Sequence, residues 1–488
     1  MRKITIGPIS LLIDRPRWSA TLVLCLMTVA ACAPVGPDFQ PPELQAPATW
    51  QRGSDAGLAV GPLAPESLAR WWTNFNDPVL TDLIEMAVAG NLDLQLARAR
   101  LHEARARLGV ARADEFPALT TSGSAMRAHR DSRTRNLFAL GFDAGWELDI
   151  FGGARRSREA ARADLAAGRE DLRDVLVSLL GEVAGNYLET RTYQARLAAA
   201  DENLQIQADT LQLADWRYQA GLSDELAVQQ ARYNLAGTRA QLPTLRVGLA
   251  GALNRLAVLT GADAARMHEL LQKPAPIPAP PLTVMVGVPA ETLRQRPDLR
   301  RAEQQLAAAT ARVGVAVSDL YPKFRLSGSI GVESVDSADI LAAANGNWRF
   351  GPSFSWPLFD GGLIRRNIEV QSALQEQKLL QYRGVVLGAL AEVENALTAF
   401  VEELRRQQAL AEAAEAARAA AGLARNKYQA GLRDFSTVLD AQRSQSSFDD
   451  QLAQSRGMVG ADLVRLYKAL GGGWQNWAAE PAPVAAQN

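Results

Sequence analysis

The tightest constraint on this chain lies in four short stretches whose apolar and polar residues alternate at every step. From Phe324 to Glu333 the even positions are Phe324, Leu326, Gly328, Ile330 and Val332, against Arg325, Ser327, Ser329, Gly331 and Glu333. Trp348, Phe350, Phe354, Trp356 and Leu358 likewise oppose Arg349, Ser353 and Ser355, and Phe138, Leu140, Phe142, Trp146 and Leu148 oppose Asp143 and Glu147. A period of two belongs to a strand with one apolar and one polar face. Strands are predicted over 117–128, 137–149, 323–333 and 348–358. Each holds ~10 residues, the length that crosses a bilayer when tilted. A soluble sandwich would need a second sheet over the aromatic face, and the sequence offers no further strands for one. Four amphipathic strands can neither close a barrel nor leave their edges bare in lipid. Several copies must therefore share one barrel. Three copies give twelve strands and a lumen lined by the polar face, whereas the eight strands of two copies would be largely filled by side chains. Trp146 and Trp356 stand at the strand ends nearest the helices, where a membrane-interface girdle places aromatics.

The strands sit inside a duplication. Asn91-Leu92-Asp93-Leu94 returns as Arg296-Pro297-Asp298-Leu299, Pro117 as Pro322, and Ser122-Gly123-Ser124 as Ser327-Gly328-Ser329. Further on, Arg217-Tyr218-Gln219-Ala220-Gly221-Leu222 returns as Lys427-Tyr428-Gln429-Ala430-Gly431-Leu432. Offsets of roughly 205 and then roughly 210 residues, held over this distance, mark two copies of one unit. The halves span 70–261 and 290–472, joined by a linker at 262–289. That linker contains Pro274, Pro276, Pro278, Pro280 and Pro281, a run that favours an extended, semi-rigid strap. Residues 32–69 read as an irregular tether and 473–488 as a flexible tail.

Within each half a helix is expected first, over 79–113 and 290–317, ending before a proline. After the strands, Leu172, Leu176, Leu179, Val183, Thr190, Leu197 and Leu204 fall on a four-three spacing, and so do Val386, Leu390, Val393, Leu397, Phe400 and Leu404. Such a seam is that of a coiled coil, and from Gly153 to Tyr218 the helix would run ~100 Å. Gly221 and Gly431 supply the left-handed residue that stops it, and Asp224 and Asp434 can cap the returning helices. The fold class is thus mainly α with a β-barrel part, built from a duplicated helix–strand–strand–long helix–helix unit.

The first thirty-one residues read as an export address. Arg2, Lys3, Arg15 and Arg17 precede an apolar run from Trp18 to Ala31, too short to span a bilayer but suited to a signal peptide. It ends in Val29-Ala30-Ala31-Cys32, which has the form of a bacterial lipobox, so 1–31 is expected to be removed and Cys32 to carry the lipid. Cys25 leaves with the signal, and the mature chain then has one cysteine and no internal disulfide. Elsewhere no run of ~18 uninterrupted apolar residues suggests a membrane helix. A net charge of −1 gives no nucleic-acid footprint. His102, His129 and His268 are scattered without ligand spacing, and no HExxH, GxSxG or Walker A pattern occurs. Neither an enzyme nor a metal or organic cofactor is expected.

Taken together, these segments resemble the outer-membrane factors, the TolC-like exit ducts of tripartite efflux pumps and type I secretion systems. The likeness is greatest to their lipoprotein branch of efflux channels, the NodT/OprM-like proteins. It rests on Cys32 through Phe39, Trp71-Trp72 with Phe75, Asp77 and Pro78, Arg296 through Arg300, Phe359 through Gly362, and Tyr428 through Gly431 with Val438 through Ala441. The resemblance implies a homotrimer of twelve strands in the outer membrane, continued by a periplasmic α-helical barrel that constricts at its lower end. It also implies a palmitate-bearing lipid anchor on Cys32, with a periplasmic adaptor and an inner-membrane transporter as partners. Drugs, toxic compounds or metal ions would pass outward through a passive duct. Carried over by position, Tyr428 and Arg433 fall in the closing latch and Asp440 in an acidic ring at the aperture. Thr437 and Ala227 stand where the family's best-known member has further aspartates. The tips at Gly221, Leu222, Gly431 and Leu432 would receive the adaptor. An adaptor lipoprotein is the alternative reading, but adaptors generally carry a single hairpin and no strands of this alternation.

Overall fold

The computed structural model describes residues 33–477, apart from 45, 54, 56–57, 62–67, 131–132 and 282–283. The signal segment and Cys32 therefore lie outside the described residues. In chain order the first half holds β1 (Leu58–Val60), α1 (Pro78–Gly90), α2 (Leu92–Ala113), β2 (Ala118–Arg130), β3 (Arg133–Leu148), α3 (Gly153–Gln219) and α4 (Glu225–Thr260). Then follow α5 (Ala264–Leu271), β4 (Val284–Val286), α6 (Pro289–Gln295), α7 (Pro297–Ser318), β5 (Lys323–Ser334), β6 (Gly346–Ser355), α8 (Leu363–Gln429) and α9 (Phe435–Ala469). Two compact units form, one from residues 33–41, 103–166 and 304–380, the other from 42–102, 167–303 and 381–477.

The first unit contains one antiparallel sheet in the order β2-β3-β5-β6. Its register puts Phe142, Ile330 and Trp348 in one row, and Ala144, Gly328 and Phe350 in the next. Because paired residues share a face, the large apolar residues of the four strands lie together, apart from Met126 and Leu137, which pair on the other face. Leu119, Phe142, Ile330, Trp348, Phe350 and Phe354 remain exposed there. Leaving a side chain of this size in water forgoes roughly 2 kcal/mol relative to burial, so the face requires an apolar medium.

The strands differ from expectation at one end. The strands expected over 117–128 and 137–149 leave 129–136 unpaired, yet Arg127 pairs with Asn136, Ala128 with Arg135 and His129 with Thr134. Arginine and threonine side chains are tolerated in a two-stranded ribbon whose faces are both in water, which apolar alternation alone does not reveal. At the other end, β6 stops at Ser355 rather than 358, since Pro357 has no N–H for a ladder.

The second unit is helical around a core that includes Trp71, Trp72, Leu83, Ile84, Leu180, Tyr187, Leu397, Phe400, Leu463 and Leu466. Val183, Thr190, Val393 and Leu397 of the two seams are fully buried. Over 18 residues α8 is apolar enough, by length and composition, to cross a membrane, but its Val393, Leu397 and Phe400 belong to this core.

The helices expected over 79–113 and 290–317 are each broken. Asn91 adopts an extended backbone, ends α1 and accepts the Leu94 N–H on Oδ1 at 2.9 Å. Its counterpart Arg296 is extended too, because the residue before a proline is pushed out of the α region. The linker also has more structure than its prolines suggest. Met267 and Leu271 of α5 are buried, and β4 pairs in parallel with β1 of the tether. Arg191 of α3 donates to Lys273 O at 3.1 Å and to Tyr187 Oη at 3.0 Å, while Tyr187 donates to Asp77 Oδ2 at 2.6 Å. Nor is the start of the tail free: Trp477 stacks on Trp72 at 5.3 Å and Trp474 is buried.

Arg296 ties this unit together. Its guanidinium donates to Asp298 Oδ1 at 3.0 Å and Oδ2 at 2.8 Å, to Glu392 Oε2 at 2.7 Å, and to the Ala469 carbonyl. Burial pushes the Asp298 carboxyl up, but the hydrogen bonds and charge of Arg296, with the Leu299 N–H, outweigh it and hold the group below its ordinary value. A depressed carboxylate stabilises the fold above the unfolded pKa and loses that contribution as pH falls through the folded one. Asp298→Asn should lower stability by about 1–3 kcal/mol at pH 7, with the deficit shrinking below about pH 4. Thermal melts followed by circular dichroism at pH 7 and pH 3 check this; an equal deficit at both would contradict it.

Candidate functional site

The two helical tips are built alike. Gly221 and Gly431 take the left-handed backbone, with φ of 68° and 73°, which costs a glycine nothing and any Cβ-bearing residue a clash. Leu222 N–H then reaches back to Arg217 O at 2.8 Å, and Leu432 N–H to Lys427 O at 2.9 Å. These bonds close the last turn of α3 and α8 and leave Leu222 and Leu432 exposed. Asp224 caps α4 by accepting the Ala227 N–H at 3.2 Å. Asp434 does not cap α9 with its side chain: the Thr437 N–H is already taken by the Asp434 carbonyl at 3.2 Å.

Tyr428 is buried behind its tip, with its ring 5.1 Å from that of Phe435 in a cluster with Ala214, Val228 and Val438. Arg217 lies over the other side, its guanidinium 4.7 Å from the ring centroid, and donates to Tyr428 O at 3.2 Å and Gln429 O at 3.4 Å. Tyr428 Oη has no partner among the described residues, and Ala227 packs in the same cluster, where a side chain cannot reach out to bond it. Arg433 is exposed, and among the described residues it makes no ion pair. Asp440 is also exposed, on α9, with a long 3.7 Å contact to Arg443 one turn on.

Arg443 is the residue the sequence did not flag. It donates to Tyr233 Oη at 2.6 Å and Asn234 Oδ1 at 3.2 Å, and so bridges α9 to α4. Arg217 and Arg443 together fasten one repeat's hairpin to the other's. A signal was available: Arg217 is the repeat partner of Lys427, and a cation three residues after Asp440 lies on the same helix face.

On the sheet, the face opposite the aromatics carries Thr120, Ser122, Asp143, Glu147, Arg325, Ser327, Ser329, Arg349 and Ser353. Glu147 pairs in register with Arg325, and Asp143 stands in the row of Ser329 and Arg349, so opposite charges share rows. Trp146 and Trp356 are half-exposed, and their indole N–H groups donate to Glu115 O at 2.9 Å and Leu320 O at 3.0 Å. The residues just after Cys32 are pinned in the same unit. Val35 N–H donates to Phe151 O at 3.0 Å, and buried Arg156 donates to Val35 O at 3.1 Å and to Asp38 Oδ1 at 2.7 Å. Gly36 passes Gly314 so closely that a Cβ on it would meet the Gly314 Cα at 2.5 Å. Among the described residues no group of three His, Cys, Asp or Glu is placed to hold a metal ion.

The family model for outer membrane efflux proteins matches residues 83–262 and 288–472. The pyoverdine export outer membrane protein OpmQ of Pseudomonas putida is 34% identical over 477 residues, 94% of this chain and 98% of that protein. Nodulation protein T of Rhizobium leguminosarum bv. trifolii is 33% identical over 427 residues, covering 86% of this chain and 90% of that one. Among solved structures, the outer-membrane channel OprN superposes with a TM-score of 0.86 at 36% identity, over 90% of this chain and 99% of OprN.

Removing the Arg217 side chain takes away a cation–π contact and two carbonyl hydrogen bonds, together about 1–2 kcal/mol. Arg217→Ala should speed amide exchange ~10-fold over residues 424–435 and leave the sheet unchanged. Hydrogen–deuterium exchange mass spectrometry reads this out; unaltered exchange at the tip would show that Arg217 does not hold it.

Proposed function

The chain belongs to the outer membrane efflux protein family, and from that premise we propose how this efflux channel is assembled, anchored and gated. Three copies pair edge to edge, β2 of one with β6 of the next, into a single twelve-stranded barrel in the outer membrane. The observation that carries this is the sheet itself, with its aromatic face exposed and both outer strands unpaired. Lipid takes the aromatic face, and the polar face lines a water-filled lumen. The family model spans both halves, which sets aside the adaptor reading.

Cys32 carries the anchoring lipid. Support comes from the lipobox and from the clamp around Val35, Gly36 and Arg156, which holds the neighbouring chain against the sheet-bearing unit. The helices of the second unit lie in the periplasm. A periplasmic adaptor docks on the exposed tips at Gly221, Leu222, Gly431 and Leu432, and an inner-membrane transporter supplies the energy. The duct itself has no catalytic step, no cofactor and no nucleic-acid partner. Its cargo, by analogy with relatives named for pyoverdine, solvent and toluene export, is a set of toxic or secreted small molecules.

Gating follows from the tip contacts. Arg217 on Tyr428 and Arg443 on Tyr233 and Asn234 hold the hairpins together, while Arg433 and Asp440 face outward from the helices, free to meet a neighbouring copy. An adaptor that binds the tips shifts the population toward the open arrangement only by binding that arrangement more tightly.

Two measurements test this. Loss of the protein from a host that carries its partner pump should sensitise the cells several-fold to toxic pump substrates, and reintroduced protein should restore resistance; no change would contradict an efflux role. In planar bilayers under a salt gradient, Asp440→Ala should weaken preference for cations, and an unaltered reversal potential would remove Asp440 from the aperture.

A further inference from the structure

We propose that the outer end of the β2–β3 hairpin forms a cationic collar at the pore exit that binds multivalent phosphate- or carboxylate-bearing anions. The proposal rests on the three-copy barrel above and goes beyond it by giving the exit a ligand chemistry.

The ladder from Ala118 with Gly145 to Arg130 with Arg133 runs without a break, so the face of every residue is settled by parity. β5 leaves this ladder at Ser334, opposite Phe138. From Leu137 to Arg133 the two strands continue alone, about 17 Å beyond the last row shared with β5. This is the end away from α2 and α3, hence the external side in the proposed topology. On the face that continues Asp143, Gly141 and Ala139 come Leu137, Arg135 and Arg133. That is the lumen face.

Charge is balanced within the lower rows, whereas at the outer end the cations sit on the β2–β3 hairpin and the acids Asp336 and Asp339 on the β5–β6 loop. Within the four-stranded rows, Glu147 stands against Arg325 and Asp143 shares a row with Arg349. Glu333 is the nearest described acid on this face, and it pairs with Ala139, about 13 Å along the strand below Arg135. Arg133 and Arg135 are exposed and make no ion pair or side-chain hydrogen bond with any described residue. Residues 126–137 contain four arginines, Arg127, Arg130, Arg133 and Arg135, against one acid, Asp131.

Closure multiplies this asymmetry. Arg133 and Arg135 of each copy converge on one mouth, and guanidinium forks match phosphate and carboxylate oxygens two at a time. Several positive charges around a narrow rim concentrate anions there. Arg127 and His129, by parity on the face away from the lumen, do not take part.

The test uses the full-length protein in phosphatidylcholine bilayers at about 0.1 M salt, where charges ~10 Å apart still interact, with inorganic tripolyphosphate added to one side at a time. Tripolyphosphate should block current from the hairpin side at a concentration ~10-fold lower than from the helical side. The double variant Arg133→Gln/Arg135→Gln should lose that difference while keeping the wild-type particle mass and β-sheet content. Equal block from both sides in the wild type, or unchanged block in the variant, overturns the collar. A stable monomeric particle overturns the barrel on which the collar depends, so the two failures are distinct. With lipopolysaccharide in the hairpin-side leaflet the block should persist; its loss would mean that lipid phosphates hold the arginines, and the solute reading would fall.

Discussion

A sheet with an aromatic face and two bare edges sets the terms for everything else in this protein. Phe142, Ile330, Trp348 and Phe350 stand in adjacent rows and face outward, and β2 and β6 have no strand beyond them. Water would penalise the face, and lipid would penalise the edges. Only a closed ring of several copies, set in a bilayer, satisfies both at once. The polar rows on the other face then acquire their meaning as a pore wall, and opposed charges such as Glu147 and Arg325 keep that wall nearly neutral.

In the helical unit the contacts between long helices differ along their length. Near the aromatic core the bonds are buried and interlocked: Asp77, Tyr187, Arg191 and the Lys273 carbonyl form one chain of hydrogen bonds, and Arg296 grips Asp298, Glu392 and Ala469 O. Toward the tips the fastenings are a small apolar cluster around Tyr428 and Phe435, the Gln442 bond to Thr210, and the contacts of Arg217 and Arg443. In the gating proposed above, stability graded in this way would confine opening to the tip and leave the core undisturbed.

Much of this was legible in the residues, and the exceptions have physical causes. Period-two alternation located all four long strands, because one-sided burial in lipid writes itself into every second residue. It failed at His129 to Asn136, where the ribbon has water on both sides and no apolar signal to leave. The four-three seam and the glycine stops located the long helices to within a residue or so at each end. The breaks at Asn91 and Arg296 were missed, since a single extended residue barely disturbs helical periodicity, although Pro297 offered a hint. For the gate, resemblance pointed to Tyr428, Arg433 and Asp440. Arg217 and Arg443 left only faint marks, the repeat match to Lys427 and the three-residue spacing from Asp440, because their partners are backbone carbonyls and side chains on other helices.

The most direct test of the shared barrel is the mass of the detergent-extracted particle, corrected for bound detergent, by light scattering or analytical ultracentrifugation in a mild detergent. Edge-to-edge closure requires three chains per particle, resistant to dilution. A stable monomer would show that the edges of β2 and β6 can be satisfied without a neighbour, and closure by shared strands could not then be the basis of the fold.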